Sequence, residues 1–185
     1  MADYNFNTPE NQTIARELLL LHLNTGTKDA PVWSLIGHRV EDSSMELDWQ
    51  RESVKDIVGA TRNTMKKPII TQTFEPWDLT NGDTAQKKVW TLAFVEQNAQ
   101  ALCSMDLLLE HRYAGFGERY DASSIEVTGL GGAGGGNVGM PINVTFGGER
   151  TIGTVAVGEG GAVTFNKETA AAAANAEGQE EQTEP

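Results

Sequence analysis

The sequence predicts a mainly β protein with one flanking α-helix and a long inter-strand loop. Three observations carry this. Ser44–Gln50 alternates strictly, with Met45, Leu47 and Trp49 on one face and Ser44, Glu46, Asp48 and Gln50 on the other, the period of a half-buried strand. The last third of the chain strings short β-branched runs between glycine turns, as hairpins do. Only residues 83–98 repeat apolar residues (Val89, Leu92, Ala93, Val95) at helical spacing, behind a capping Asp83 or Thr84.

In chain order, residues 1–12 are polar and are expected to form a flexible arm ahead of a domain over 13–165. Residues 14–23 suit a strand or a short helix, and the Asn24–Pro31 loop followed by Val32–Ile36 favours strand–turn–strand. After Ser44–Gln50 comes a charged connection over 52–67, then a strand over 69–75. A connection this long inside a small domain points to a functional loop. Residues 102–113 alternate as a strand. Ser124–Thr128, Ile142–Phe146, Thr151–Val157 and Ala162–Phe165 follow as a meander, with Gly147-Gly148 and Gly158–Gly161 as hairpin turns. Residues 166–185 carry five Glu against one Lys, bury almost nothing, and are expected to be disordered.

Composition bounds the function. The 185 residues carry a net charge of −12, which repels free nucleic acid. One cysteine, Cys103, excludes an intrachain disulfide framework and fits a reducing compartment. The N-terminus lacks the pattern of a signal peptide and no apolar run approaches bilayer length. A soluble protein assembled in the cytoplasm is expected.

Chemistry-bearing motifs are few. Gly129, Gly131 and Gly134 fit G-x-G-x-x-G, with Glu149 where a ribose-binding acid would stand. A dinucleotide fingerprint must open a helix. Here Gly135, Gly136, Gly139 and Pro141 follow, and glycine costs about 1 kcal/mol per helical position relative to alanine. A connection between strands is the better reading, and a nucleotide-binding enzyme stays a distant alternative. His22, His38 and His111 have no local metal spacing, and no nucleophile elbow is present. Glu46 and Asp48 read as a solvated strand face before a catalytic carboxylate pair. Trp33, Trp49, Trp77 and Trp90 suit core or interface packing. No catalytic, cofactor or metal site is expected.

The ordered pieces VWSLIGHRVEDSSMELDW, ESVKDIVGAT, FEPW, the NGD turn before the helix, and YDASSIEVTGLGG…GGNVGMPINVTFGGERTIGTVAV…AVTF together resemble the major tail (tail tube) proteins of siphophages, from about Trp33 to Phe165. The resemblance implies a β-sandwich or half-barrel that contributes strands to an oligomeric inner β-barrel, in a structural virion protein that forms homo-hexameric rings, stacked into a hollow tube through which DNA passes unbound. Tail-tip, terminator, tape-measure and chaperone proteins are its implied partners. Ser44, Glu46, Asp48, Gln50, Thr71, Thr73 and Glu75 are then candidates for the lumen wall. Lys55, Asp56, Arg62, Lys66 and Lys67 are candidates for contact with the next ring. A related tail-tip, terminator or contractile-injection tube protein is the alternative.

Overall fold

A computed structural model describes residues 6–168. The chain is mainly β with one flanking helical segment, the sandwich or half-barrel class expected. It forms two compact units, and the strand β9 (Phe116–Val127) gives its first half to one and its second half to the other.

Among the described residues, the first unit holds residues 6–36, Asp106–Asp121 and residues 148–168. A single 3-10 turn at Arg16–Leu18 precedes β1 (Leu19–Asn24), which pairs antiparallel with β2 (Trp33–Ile36) and with β8 (Met105–His111). The sequence-predicted strand–turn–strand opening is therefore present. β8 is followed by β9, then β11 (Arg150–Val157) and β12 (Val163–Lys167), a hairpin closed through Gly158–Gly161. Leu21, Leu23, Leu107 and Leu109 are among its core residues. β8 alternates in sequence yet is buried along nearly its whole length, Asp106 and Glu110 included. Each buried carboxylate has its own arginine: Arg119 reaches Asp106 at 2.7 Å and Arg112 reaches Glu110 at 2.9 Å, with the His22 ring nitrogen also 2.9 Å from Glu110. Phe6 meets the Tyr113 ring edge-on, and the Asn7 N–H donates to the Tyr113 carbonyl.

The second unit holds Gly37–Met105 and Ala122–Gly147. Its centre is β7 (Ile69–Trp77), flanked by β10 (Ile142–Thr145) on one register and by β3 (Val40–Asp42) and β4 (Met45–Asp48) on the other. β10 also pairs with the second half of β9. Phe74, Ile125, Ile142 and Val144 form the core with Val89. The helix α1 (Thr84–Trp90) starts where expected, with Asp83 accepting the Gln86 N–H at 3.0 Å. It does not continue to residue 98. From Thr91 to Val95 it widens into a π turn, and a separate helix α2 (Ala99–Leu102) follows. The widening rotates Val95 out of the predicted inner stripe into solvent.

Two further expectations are corrected. The connection over 52–67 is a hairpin, β5 (Glu52–Lys55) against β6 (Thr61–Thr64), and not a loop. Asp56 makes the turn locally: its Oδ1 accepts the Val58 and Ala60 N–H groups, while Gly59 takes φ +83°. Gly147-Gly148 is not a hairpin turn. It links β10 to β11, which do not pair with each other but with successive stretches of β9, so the C-terminal strands are not a simple meander. The acidic segment predicted from residue 166 starts inside β12, and residues 169–185 lie outside the described residues.

Candidate functional site

Pairing partners directly opposite in an antiparallel sheet project to the same face. In the second unit the registers therefore build one wall across four strands. Glu46 lies opposite Thr71, Thr71 opposite Thr145, and Thr145 opposite Ser124. In the next row Thr73 lies opposite Asn143, and Asn143 opposite Glu126. Ser44 joins that row just before β4, its carbonyl accepting the Thr73 N–H at 2.9 Å and its hydroxyl 3.0 Å from the Thr73 hydroxyl. Asp48 and Ile69 end the wall on one side, and Glu75 with Asp42 on the other.

The wall carries five carboxylates (Asp42, Glu46, Asp48, Glu75 and Glu126), hydroxyls and one amide, and no lysine or arginine. The other face of these strands is apolar, with Phe74, Ile125, Ile142 and Val144 buried. Gln72 is also buried there, donating to Ser43 at 3.0 Å. Period-2 alternation thus sorts the unit into a core side and a wet side. The wet side can present a negative surface about four strands wide, or ~15 Å at 4.8 Å per strand spacing.

Of the residues expected from sequence, Ser44, Glu46, Asp48, Thr71, Thr73 and Glu75 all join this wall. Gln50 falls beyond β4 in a left-handed conformation, φ +44°, its N–H held by Asp48 at 2.9 Å. Sequence reasoning missed Ser124, Glu126, Asn143 and Thr145, although S-I-E-V-T and I-N-V-T alternate as cleanly as S-M-E-L-D. The signal was there; the pairing order that sets those strands beside β7 was not.

The Met45, Leu47, Trp49 face is not packed away. Leu47 is 48% and Trp49 43% exposed, because β4 is an edge strand. Trp33 and Trp77 are buried. The hairpin is exposed throughout except at Asp56, and Ile57 and Val58 at its tip are bare. Lys66 reaches Glu52 at 2.7 Å and Arg62 stands 4.0 Å from Asp56. Lys55 ends β5 and Lys67 follows β6; neither makes an ion pair among the described residues.

The glycine motif lies in the connection between β9 and β10. Gly131 and Gly139 exchange backbone hydrogen bonds at 3.0 and 2.7 Å, and no helix follows, so it has no helix terminus to offer a pyrophosphate. A side chain at Gly132 would sit 2.0 Å from the Asn137 carbonyl oxygen, a packing reason for glycine at that position. Among the described residues no His, Cys, Asp and Glu group fits a metal ion, and no helix is long and apolar enough to cross a membrane.

No family model matches the chain, and no curated protein does. Solved structures do. The sheath/tube terminator of an extracellular contractile injection system (PVC), in its extended state, aligns with TM-score 0.50 at 10% identity over 78% of this chain and 99% of that one. The tube-terminating cap of the anti-feeding prophage aligns with TM-score 0.48 at 10% identity, over 80% and 95%. A chain of the PVC sheath–tube complex aligns with TM-score 0.47 at 10% identity, over 79% and 95%. The first establishes likeness of fold.

Proposed function

We propose that this chain is a ring-forming structural component of a phage-tail-like tube, with the wall of β4, β7, β10 and β9 turned toward the lumen. The observation that carries the reading is the composition of that wall: a sheet face polar except for Ile69 at one end, with five carboxylates and no cation. A conduit for a polyanion must not neutralise it, since each phosphate contact adds affinity that would act as a brake. Carboxylates and hydroxyls do the opposite, and DNA slides past them. The fold likeness to a tube terminator supports the same class.

Two members of that class differ in what they build. A tube subunit stacks ring on ring; a terminator makes one ring and stops. The likeness to a sheath/tube terminator supports the second, which displaces the siphophage major tail protein as the leading specific reading. The exposed hairpin over 52–67 supports contact with a neighbouring ring in either case, its basic side chains meeting an otherwise acidic protein. Ring closure between copies would also cover the edge strand β4 and its exposed Leu47 and Trp49. The experiment is to concentrate the purified protein and follow it by light scattering and negative-stain electron microscopy. Hollow tubes of regular repeat indicate a tube subunit and single hexameric rings a terminator. A monomer that binds nucleotide at the glycine connection would overturn both.

A further inference from the structure

The hairpin concentrates charge of the opposite sign to the rest of the molecule. Residues 51–67 hold five basic and two acidic residues, net +3, whereas the remainder of the chain is at −15. Glu52 and Asp56 are already engaged by Lys66 and Arg62. Arg51, Lys55 and Lys67 make no ion pair among the described residues. On one face the pairing sets Ser53 against Asn63 and Lys55 against Thr61, with no carboxylate among them. An isolated two-stranded hairpin is marginal in water, and this one also exposes Val54, Ile57 and Val58. Those apolar side chains and the surplus cations both call for an acidic partner with a small apolar stretch.

The chain contains such a segment. Residues 169–185 carry Glu177, Glu180, Glu181 and Glu184 with no Lys or Arg, preceded by Ala170–Ala174. Seventeen residues can span up to about 55–60 Å when extended. A cleft of about 310 Å³ beside Lys167 is the other cationic candidate. It is lined by Asp121 and Glu149 as well as Lys28, Arg119 and Lys167, and Arg119 is already tied to Asp106, which leaves two cations against two carboxylates and no comparable surplus.

We infer that residues 169–185 are an acidic competitor for the basic hairpin over 51–67, occupying it before assembly and leaving it when the hairpin engages another subunit. This rests on the reading of the hairpin as the contact between rings. The tail then sets the protein concentration and the salt at which assembly starts. Because the contact is between exposed charges, it weakens as the Debye length shrinks from about 10 Å at 0.1 M salt to about 3 Å at 1 M.

The test compares the full chain with a chain ended at Glu168, by light scattering against concentration at 50 mM and 500 mM salt. The truncated chain is expected to assemble at a threshold at least threefold lower at 50 mM, with the difference gone at 500 mM. A synthetic peptide of residues 169–185, added to the truncated chain, restores the higher threshold and shifts backbone amide resonances of residues 51–67. Charge reversal by K55E and K67E abolishes both effects of the peptide. Equal thresholds with and without the tail, or a peptide that shifts resonances elsewhere, overturn the inference while leaving the ring reading intact. Failure of both chains to assemble, with the peptide still shifting the hairpin resonances, overturns the ring reading and leaves the tail contact standing.

Discussion

The two units use charge in opposite ways. In the first, the buried carboxylates are each matched by partners: Glu110 by His22 and Arg112; Asp106 by Asn24 and Arg119; Glu118 by Arg150, His111 and Tyr120. In the second, five carboxylates on the wall and three cations by the hairpin are turned outward and make no ion pair among the described residues. A buried charge costs several kcal/mol unless it is paired, so the first unit's partners follow from folding itself. No such demand explains a one-signed surface or a bare hairpin. The second unit is where an external function is to be sought.

The sharpest way to break the comparison is to remove a charge from each unit. Glu118 takes two hydrogen bonds from Arg150, at 2.7 and 2.9 Å, and one from the Tyr120 hydroxyl, with His111 at 3.4 Å. Glu118→Ala strands these donors, and urea unfolding is expected to show a loss of about 2–4 kcal/mol, below the full cost of breaking a buried pair because Arg150 is partly exposed. A loss under about 0.5 kcal/mol, the range of ordinary surface changes, would mean the first unit's charges are not structural.

Acid makes the same distinction without a mutation. Burial works to raise the Glu118 carboxyl, but hydrogen bonds from His111, Arg150 and Tyr120 outweigh it and hold it well below the usual range. Glu110 is lowered too, against burial, by His22 and Arg112. For a carboxylate whose value is depressed by folding, stability is fully present above the unfolded value and is lost as pH falls below it. The stability contributed by these two carboxylates should therefore be fully present above about pH 5 and be lost steadily below about 4.5, and Glu118→Gln should flatten that fall. An unchanged slope in the variant would assign the acid sensitivity elsewhere.

How much of this the sequence disclosed depends on the range of the interactions. Strict alternation at Ser44–Gln50 needs only neighbours to be read, and its wet face holds up residue by residue as far as Asp48. Asn143 and Glu126 alternate as well, but their place on the same wall depends on β10 lying between β7 and β9, which no local pattern encodes. The hairpin over 52–67 was hidden by its composition: Ser53, Lys55, Arg62 and Asn63 are poor strand formers with nothing to bury, and its order comes from the Asp56 turn. The buried Asp106 and Glu110 look, in sequence, like the solvent face of an ordinary amphipathic strand. Only their distant partners, Arg119 and His22, make burial possible.

The remaining predictions concern the outward-facing groups, where the folded monomer should barely respond. Ile57→Ser with Val58→Ser is expected to move unfolding by no more than about 0.5 kcal/mol, since both are bare in the monomer. The same pair should raise the threshold for assembly in light scattering at least tenfold, and unaffected assembly would remove the hairpin from the interface. Smallest in stability are Glu46→Gln and Glu126→Gln, each expected within about 0.5 kcal/mol of the parent. Replaced instead by lysine, the two should give rings or tubes of normal appearance that retain DNA at 50 mM salt and release it as salt rises. Retention by the unaltered assembly would contradict the wall's proposed role.

The most direct measurement is a cryo-electron microscopy map of the assembled protein at side-chain resolution. Glu46, Thr71, Asn143 and Glu126 are expected to line the central channel, and the hairpin over 52–67 to touch another subunit. A map with that wall on the outside of the ring, or buried between subunits, would contradict it.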